Sequence, residues 1–75
     1  MQSVIDAERF GSLIRAERKA QRLTQEELAG LTGVGVRFVR ELEAGKPSCQ
    51  IGRALQVAAA LGLTVSVGSG RERAP

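Results

Sequence analysis

The chain has 75 residues, enough for one small domain, and its lack of histidine and its single cysteine exclude a disulfide framework and a Cys/His zinc site within the chain. Lysine and arginine number 11 against 8 acidic residues, and the resulting net charge of +3 is compatible with a polyanionic partner. Two phenylalanines are the whole aromatic content, which argues against a base-stacking platform for single-stranded nucleic acid.

The first predicted helix covers residues 6–22, DAERFGSLIRAERKAQR. Asp6 is its expected N-cap, since a short acidic side chain accepts hydrogen bonds from the free amides of a first turn. The apolar positions form one stripe, at Phe10, Leu13 and Ile14. Gly11 weakens the helix by about 1 kcal/mol relative to alanine, which indicates close packing against another element.

Two groups of polar residues on this helix have different expected roles. Those opposite the apolar stripe are Arg15, Lys19 and Arg22. A solvated face is expected there, with a phosphate contact by Lys19 or Arg22 as the alternative. Those on the apolar side are Glu17, Arg18 and Gln21, and each needs a polar partner.

The second predicted helix lies within residues 23–33, LTQEELAGLTG. Thr24 and Glu27 have the T-x-x-E spacing of a capping box, which marks a helix start. The residues expected to face inward are Leu28, Ala29 and Leu31. A short glycine turn around residues 32–34 then joins this helix to the next.

The third predicted helix lies within residues 33–46, GVGVRFVRELEAGK. With helical periodicity its inward arc contains Val34, Phe38, Val39 and Leu42. The opposite arc contains Val36, Arg37, Arg40, Glu41 and Ala44. Gly45 is expected to end the helix shortly before Pro47.

The fourth predicted helix covers residues 48–62, SCQIGRALQVAAALG, with Ser48 as the candidate N-cap and Gly62 at its end. Its apolar face is expected to contain Ile51, Ala54, Leu55, Ala58 and Leu61. Cys49 is expected to be a small core or helix-start residue, with a reactive thiol as the alternative.

The period then changes, because residues 63–67, LTVSV, alternate apolar and polar side chains as a strand does. A lone strand leaves its backbone groups unpaired, so we expect it to pair with the same strand of a second copy about a twofold axis. The apolar residues of this dimer strand are Leu63, Val65 and Val67. The alternative is an irregular segment folded back on the fourth helix. Residues 68–75, GSGRERAP, are expected to be a flexible tail.

Two short helices joined by a tight glycine turn predict a helix-turn-helix unit. The segment LTQEELAGLTGVGVRFVRELEAGK resembles the helix-turn-helix of the phage-repressor, or Xre, family in its T-Q-x-E-L-A entry, its Gly-Val turn and its L-E-x-G-K exit. The helical part as a whole matches over residues 10–63. Four helices followed by LTVSV resemble the HipB-type antitoxin branch, whose members repress their own operon and bind a HipA-like serine/threonine kinase toxin.

The resemblance implies that the third helix is the recognition helix. Phosphate-contacting positions of the family match Gln25 and Lys46. Base-facing positions match Gly35, Val36, Arg37 and Glu41. Gly35 departs from the family pattern, which usually has a contacting side chain at this position. The resemblance also implies a buried ion pair between Arg18 and Glu43, which would link the first helix to the third.

The chemistry of the outward arc agrees with these roles. An arginine such as Arg37 or Arg40 can fork onto guanine O6 and N7. Val36 can touch a thymine methyl group, and Glu41 can accept a hydrogen bond from cytosine N4. The alternative is a solvated face with an i,i+4 ion pair between Arg37 and Glu41.

No catalytic constellation is visible in the sequence. Neither the serines nor Cys49 have a histidine base, and GVGVRF is not a dinucleotide-binding G-x-G-x-x-G. We therefore expect no enzyme activity, no cofactor and no bound metal.

The sequence thus predicts a mostly α fold, a four-helix helix-turn-helix domain with a C-terminal strand, over residues 1–67. The predicted function is a sequence-specific repressor, a HipB-like antitoxin that autoregulates its operon and binds a palindromic operator in double-stranded DNA as a homodimer. The alternatives are a stand-alone Xre-type regulator and a protein-interaction module that has lost DNA binding. No apolar run approaches the about 18 residues of a membrane span, and MQSVIDAERF carries no signal-peptide core, so a cytoplasmic, nucleoid-associated location is expected.

Overall fold

Four helices form the domain in the computed structural model, which describes residues 6–69. They are α1 (Ala7–Ala20), α2 (Gln25–Thr32), α3 (Val36–Glu43) and α4 (Ile51–Ala60). The predicted four-helix architecture is confirmed, and each helix is shorter than its predicted segment because the flanking residues serve as caps and turns. Across residues 6–69, no helix combines the length and the apolar character needed to cross a membrane.

Most helix ends follow from the predicted capping residues. The Asp6 carboxylate accepts a hydrogen bond from the Arg9 amide at 2.8 Å, and Thr24 and Glu27 form both bonds of the capping box. Gly45 adopts φ +86°, a left-handed conformation that closes the end of α3.

The predicted N-cap of α4 is wrong. The helix begins after Gln50, which makes no side-chain capping bond, and Ser48 lies two residues upstream. Residues 47–48 form a turn, in which the ring of Pro47 fixes φ. Ser48 therefore belongs to this turn, and the helix begins at Ile51.

One fully buried side chain from each helix meets at the centre of the core. These side chains are Ile14, Leu28, Val39 and Val57. Smaller buried residues surround them, including Ala29, Ala54 and Ala58. Because every helix contributes one central residue, no helix can leave the bundle without opening the core.

Four residues of the predicted apolar faces are exposed instead, namely Leu13, Leu31, Ile51 and Leu55. On α4 the buried stripe runs through Ala54, Val57, Ala58 and Leu61. The helix is apolar on most of its circumference, so helical periodicity alone does not fix which face is buried. The predicted face wrongly includes Leu55 and omits Val57.

Gly11 brings α1 into backbone contact with the end of α3. A Cβ atom at Gly11 would collide with the carbonyl oxygen of Leu42 and would lie 3.0 Å from that of Glu43. No side chain other than hydrogen fits this crossing, which agrees with the close packing expected at Gly11. The contact places the C-terminal end of α3 directly against α1.

Residues 63–69 adopt neither helix nor strand in the single chain. Leu63 packs partly against the core, and its amide donates to the Ala58 carbonyl at 2.9 Å. A ladder across a dimer involves two chains, so the strand over residues 63–67 stays a prediction. Residues 70–75, most of the predicted tail, lie outside the described residues.

Candidate nucleic-acid interface

Helix α3 is short and strongly amphipathic. Val39 and Leu42 are buried on its inner side, while Arg37 and Arg40 extend from the outer side. The Arg37 side chain is 85 % exposed. A helix of this length depends on the packing of its inner face for stability, so the residues of its outer face are not needed for folding.

Gly35 and Val36 begin this helix and differ in exposure. Gly35 is the N-cap, with φ −74° and no side-chain capping bond, and a Cβ atom there would meet no atom within 4 Å. Neither its backbone conformation nor its packing in the single chain requires glycine. Val36 was predicted on the outward arc, but it is half-buried and packs against the edge of the core.

The outer face of α3 carries a surface ion cluster formed by Arg37, Glu41 and Lys46. Arg37 Nε donates to Glu41 Oε2 at 3.3 Å, and Lys46 Nζ lies 3.3 Å from Glu41 Oε1. The hydrogen bond from Lys46, together with the weaker one from Arg37, holds the pKa of Glu41 below its ordinary value. The i,i+4 pair considered from the sequence is therefore present, and it shares its carboxylate with a second cation.

A buried polar network lies behind the same helix. Arg18 Nε and Nη2 donate to the two carboxylate oxygens of Glu43 at 2.6 and 3.0 Å, and Arg18 Nη1 donates to the Leu23 carbonyl at 2.7 Å. Gln25 Nε2 adds a bond of 3.1 Å to Glu43 Oε1. The structure thus brings Arg18 and Glu43 together as the resemblance implied, and it adds Gln25 to the pair.

Burial and hydrogen bonding act on this network in opposite directions. Burial alone would raise the pKa of Glu43, but the hydrogen bonds from Arg18 and Gln25 lower it below its ordinary value. The Glu43 hydrogen bond raises the pKa of Arg18, against the effect of burial. Both groups are therefore charged, and within residues 6–69 no buried side-chain polar atom lacks a hydrogen-bond partner.

A polar groove connects the network to the outer face of α3. Its lining residues are Arg15, Gln25, Arg40, Glu43 and Ala44. The sequence predicts a solvated face for Arg15 and does not relate this residue to α3. The signal was its position one turn before Arg18, which places it near the same end of α3.

The residues predicted to contact DNA therefore lie on and beside α3. Arg37, Glu41 and Lys46 are joined by ion pairs, Gln25 and Arg40 share the polar groove, and Gly35 and Val36 begin the helix. Lys19 and Arg22 are exposed on α1 and in the turn after it.

A sequence profile described as helix-turn-helix matches residues 14–67. The chain belongs to the helix-turn-helix family of the Xre type. A relative from Sinorhizobium fredii, the uncharacterized HTH-type transcriptional regulator y4mF, is 52 % identical over 64 residues, which are 85 % of this chain and 84 % of the relative. This helix-turn-helix family comprises DNA-binding transcriptional regulators and is not an enzyme family.

Solved structures share the fold of this helix-turn-helix protein. The HipA-HipB-O2-O3 complex contains a chain with a TM-score of 0.81 and 16 % identity, and the match covers 93 % of this chain and 99 % of that one. The HipB-O4 20mer complex gives a TM-score of 0.80 with the same identity and the same coverage. At this identity the likeness establishes a HipB-like fold.

Proposed function

We propose that this helix-turn-helix protein is a sequence-specific repressor that inserts α3 into the major groove of operator DNA as a homodimer. One observation carries the proposal. The second helix of the helix-turn-helix buries Val39 and Leu42 and leaves Arg37 and Arg40 in solvent, at the position from which this motif reads base edges.

Each residue of the interface has a proposed role. Arg37 and Arg40 donate to guanine O6 and N7, and Glu41 accepts from cytosine N4. Val36, at the edge of the core, touches a thymine methyl group with its exposed part. Contacts with DNA phosphates come from Gln25 at the start of α2 and from Lys46 after α3. The main chain at Gly35, between the two helices, approaches the DNA closely.

The dimer is proposed to form through residues 63–67 and an apolar surface beside them. One groove is lined in part by Phe10, Ile51, Leu55 and Val65, and a neighbouring groove by Phe10, Leu13 and Val65. Phe10 and Val65 belong to both grooves, so the two form one continuous surface. Val67 is 96 % exposed. Pairing of two LTVSV segments about a twofold axis would satisfy their backbone groups and cover these apolar side chains.

A twofold dimer sets the form of its operator. Two copies of α3 related by the axis read two half-sites of opposite orientation, so the operator is a palindrome. Its half-sites are separated by about 34–36 Å, one turn of DNA, or by a multiple of that distance.

An antitoxin role is the finer part of the proposal. The HipB-like fold supports it, since a chain of this fold occurs in the HipA-HipB-O2-O3 complex. We propose that this protein binds a HipA-like serine/threonine kinase and represses the operon that encodes both, in the cytoplasm at the nucleoid. A kinase reading frame beside its gene, and co-purification of the two products, would support this role. A gene without such a neighbour would favour a stand-alone regulator.

Titration with random duplex DNA at two salt concentrations tests the central proposal. Phosphate contacts release counterions, so the association constant must fall as salt rises. A binding selection should then recover a palindrome. Failure to bind duplex DNA at low salt would contradict the proposal and favour a protein-interaction module.

Light scattering at micromolar concentration tests the dimer. Val65→Pro removes a strand amide and should shift the dimer toward monomer. Thr64→Val, a neighbouring change that keeps the amide and favours strands, is the matched control and should leave the dimer intact. A wild-type protein that remains monomeric at high concentration would overturn this part of the proposal.

A further inference from the structure

The Glu41 carboxylate pairs with both cations of the surface ion cluster at once. Each of its carboxylate oxygens faces a different cation at 3.3 Å, Oε2 the Arg37 guanidinium and Oε1 the Lys46 ammonium. Arg37 lies in the first turn of α3 and Lys46 lies beyond its C-terminal end, so one carboxylate links the two ends of the reading surface.

The cluster lies where a DNA phosphate can reach it. The Arg37 and Lys46 side chains are 85 % and 47 % exposed, and Glu41 is 31 % exposed between them. A phosphate that binds Arg37 or Lys46 must therefore share that cation with the Glu41 carboxylate or displace the carboxylate. The negative charge of the carboxylate repels the phosphate as it approaches.

We propose that Glu41 is a specificity-determining residue that competes with DNA phosphates for Arg37 and Lys46 and thereby weakens binding to non-cognate DNA. This inference rests on the proposed DNA-binding function and deepens it. On a random sequence, the two cations leave Glu41 and the carboxylate gains no new partner. On the cognate operator, Glu41 accepts from a cytosine amino group while Arg37 bonds a guanine, so the carboxylate recovers what it lost.

The competition does not depend on pH in the neutral range. The cations hold the pKa of Glu41 below its ordinary value, so the carboxylate is charged whenever the protein is folded near neutrality. Salt is the variable that changes the effect, because ions screen exposed pairs. The penalty on random DNA should therefore be largest at low ionic strength.

The test compares two glutamate-to-glutamine variants on a random duplex and on the operator obtained by selection. Glu41→Gln frees both cations. Glu17→Gln raises the net charge by the same amount, but Glu17 accepts a hydrogen bond from the neutral amide of Gln21 and serves as the matched control. At low salt Glu41→Gln should bind random duplex about three- to tenfold more tightly than wild type, and Glu17→Gln less than about twofold. Operator affinity should rise less or fall, so the specificity ratio decreases.

A second background separates competition from net charge. In Arg37→Gln/Lys46→Gln, where no cation faces Glu41, adding Glu41→Gln should change random-duplex affinity by less than about twofold. The inference is overturned if Glu41→Gln binds no more tightly than Glu17→Gln, or if its gain persists in that background. A wild-type protein without salt-dependent DNA binding would instead refute the proposed function itself, and this inference with it.

Discussion

Two glutamates of α3 lie two positions apart and have opposite surroundings. Glu43 is 3 % exposed and receives hydrogen bonds from Arg18 and Gln25, whereas Glu41 is 31 % exposed and faces Arg37 and Lys46. Both carboxylates neutralise cations, and both have a lowered pKa. The buried carboxylate joins three helices, and the surface carboxylate joins residues that we assign to DNA.

The contrast indicates that burial, more than the residue types in the pair, determines whether an ion pair stabilises the fold or remains available to a ligand. A buried charge that loses its partner cannot be resolvated by water, so the pair enforces one arrangement of α1, α2 and α3. An exposed pair exchanges with water and ions at little cost, so its members remain available to a ligand. Stability should therefore depend on the Glu43 network, and DNA affinity on the Glu41 cluster.

Removal of the Arg18 side-chain charge should have the largest effect on stability. Arg18→Met leaves Glu43 charged and buried, and such a change typically costs about 3–5 kcal/mol of unfolding free energy. Arg37→Met, the same substitution in the surface cluster, is the matched control and should leave stability unchanged. Urea unfolding of both variants at one protein concentration measures the contrast. Equal stability of the two variants would show that the buried pair contributes no more to the unfolding free energy than the exposed pair does.

Loss of a reading arginine should have the next largest effect, on binding rather than folding. Arg37→Ala should cost about 1–3 kcal/mol on the cognate operator and relax the preference at one base pair. Competition binding against operators with single base changes identifies that position. A variant that binds its operator as well as wild type would show that Arg37 is not a reading residue.

Acid should affect the two carboxylates unequally. A lowered pKa in the folded state means that each carboxylate contributes stability above its ordinary pKa of 4.5, and the contribution is lost as pH falls through the folded pKa. The contribution of Glu43 should be larger, because solvent screens Glu41. The unfolding free energy should be measured from about pH 3 to about pH 6, a range that spans the ordinary carboxyl pKa. Its dependence on pH should decrease more in Glu43→Gln than in Glu41→Gln. The reverse order would contradict the comparison.

The smallest effect is expected at Lys46, on the edge of the surface cluster. Lys46→Ala should weaken binding to all sequences alike and reduce the salt slope by about 1, as expected for one lost phosphate contact. Lys19→Ala removes the same charge from α1, where we expect a solvated face, and should leave the slope unchanged; a reduced slope would indicate the alternative phosphate contact by Lys19. If Lys46→Ala changed sequence preference, its contact would be to a base.

Local signals in the sequence predict that the four helices form, and they predict the inner face of α3, but they place the start of α4 wrongly. The Asp6 cap, the Thr24–Glu27 box and the glycine at position 45 each act within one turn, so their chemistry is complete in a short segment. The Arg18–Glu43 contact joins residues 25 positions apart and came from the family resemblance, because no local pattern specifies such a pair.

Tertiary context accounts for the features that the sequence did not predict. Leu31 and Leu55 have the hydrophobicity of core residues, but their exposure depends on which neighbours a helix meets. Val36 is drawn to the core edge by packing, although periodicity places it outward. The second bond of Glu41, from Lys46, depends on how the chain turns after Gly45, which a helical wheel does not contain.

The hydrogen side chain of Gly11 has a mechanical consequence for the reading surface. The backbones of α1 and of the end of α3 touch with no side chain between them, so the two helices should move as one unit. A partner that binds α1 would therefore move α3 with it and would not tilt α3 alone. In the proposed dimer, such a partner would change the distance and angle between the two copies of α3.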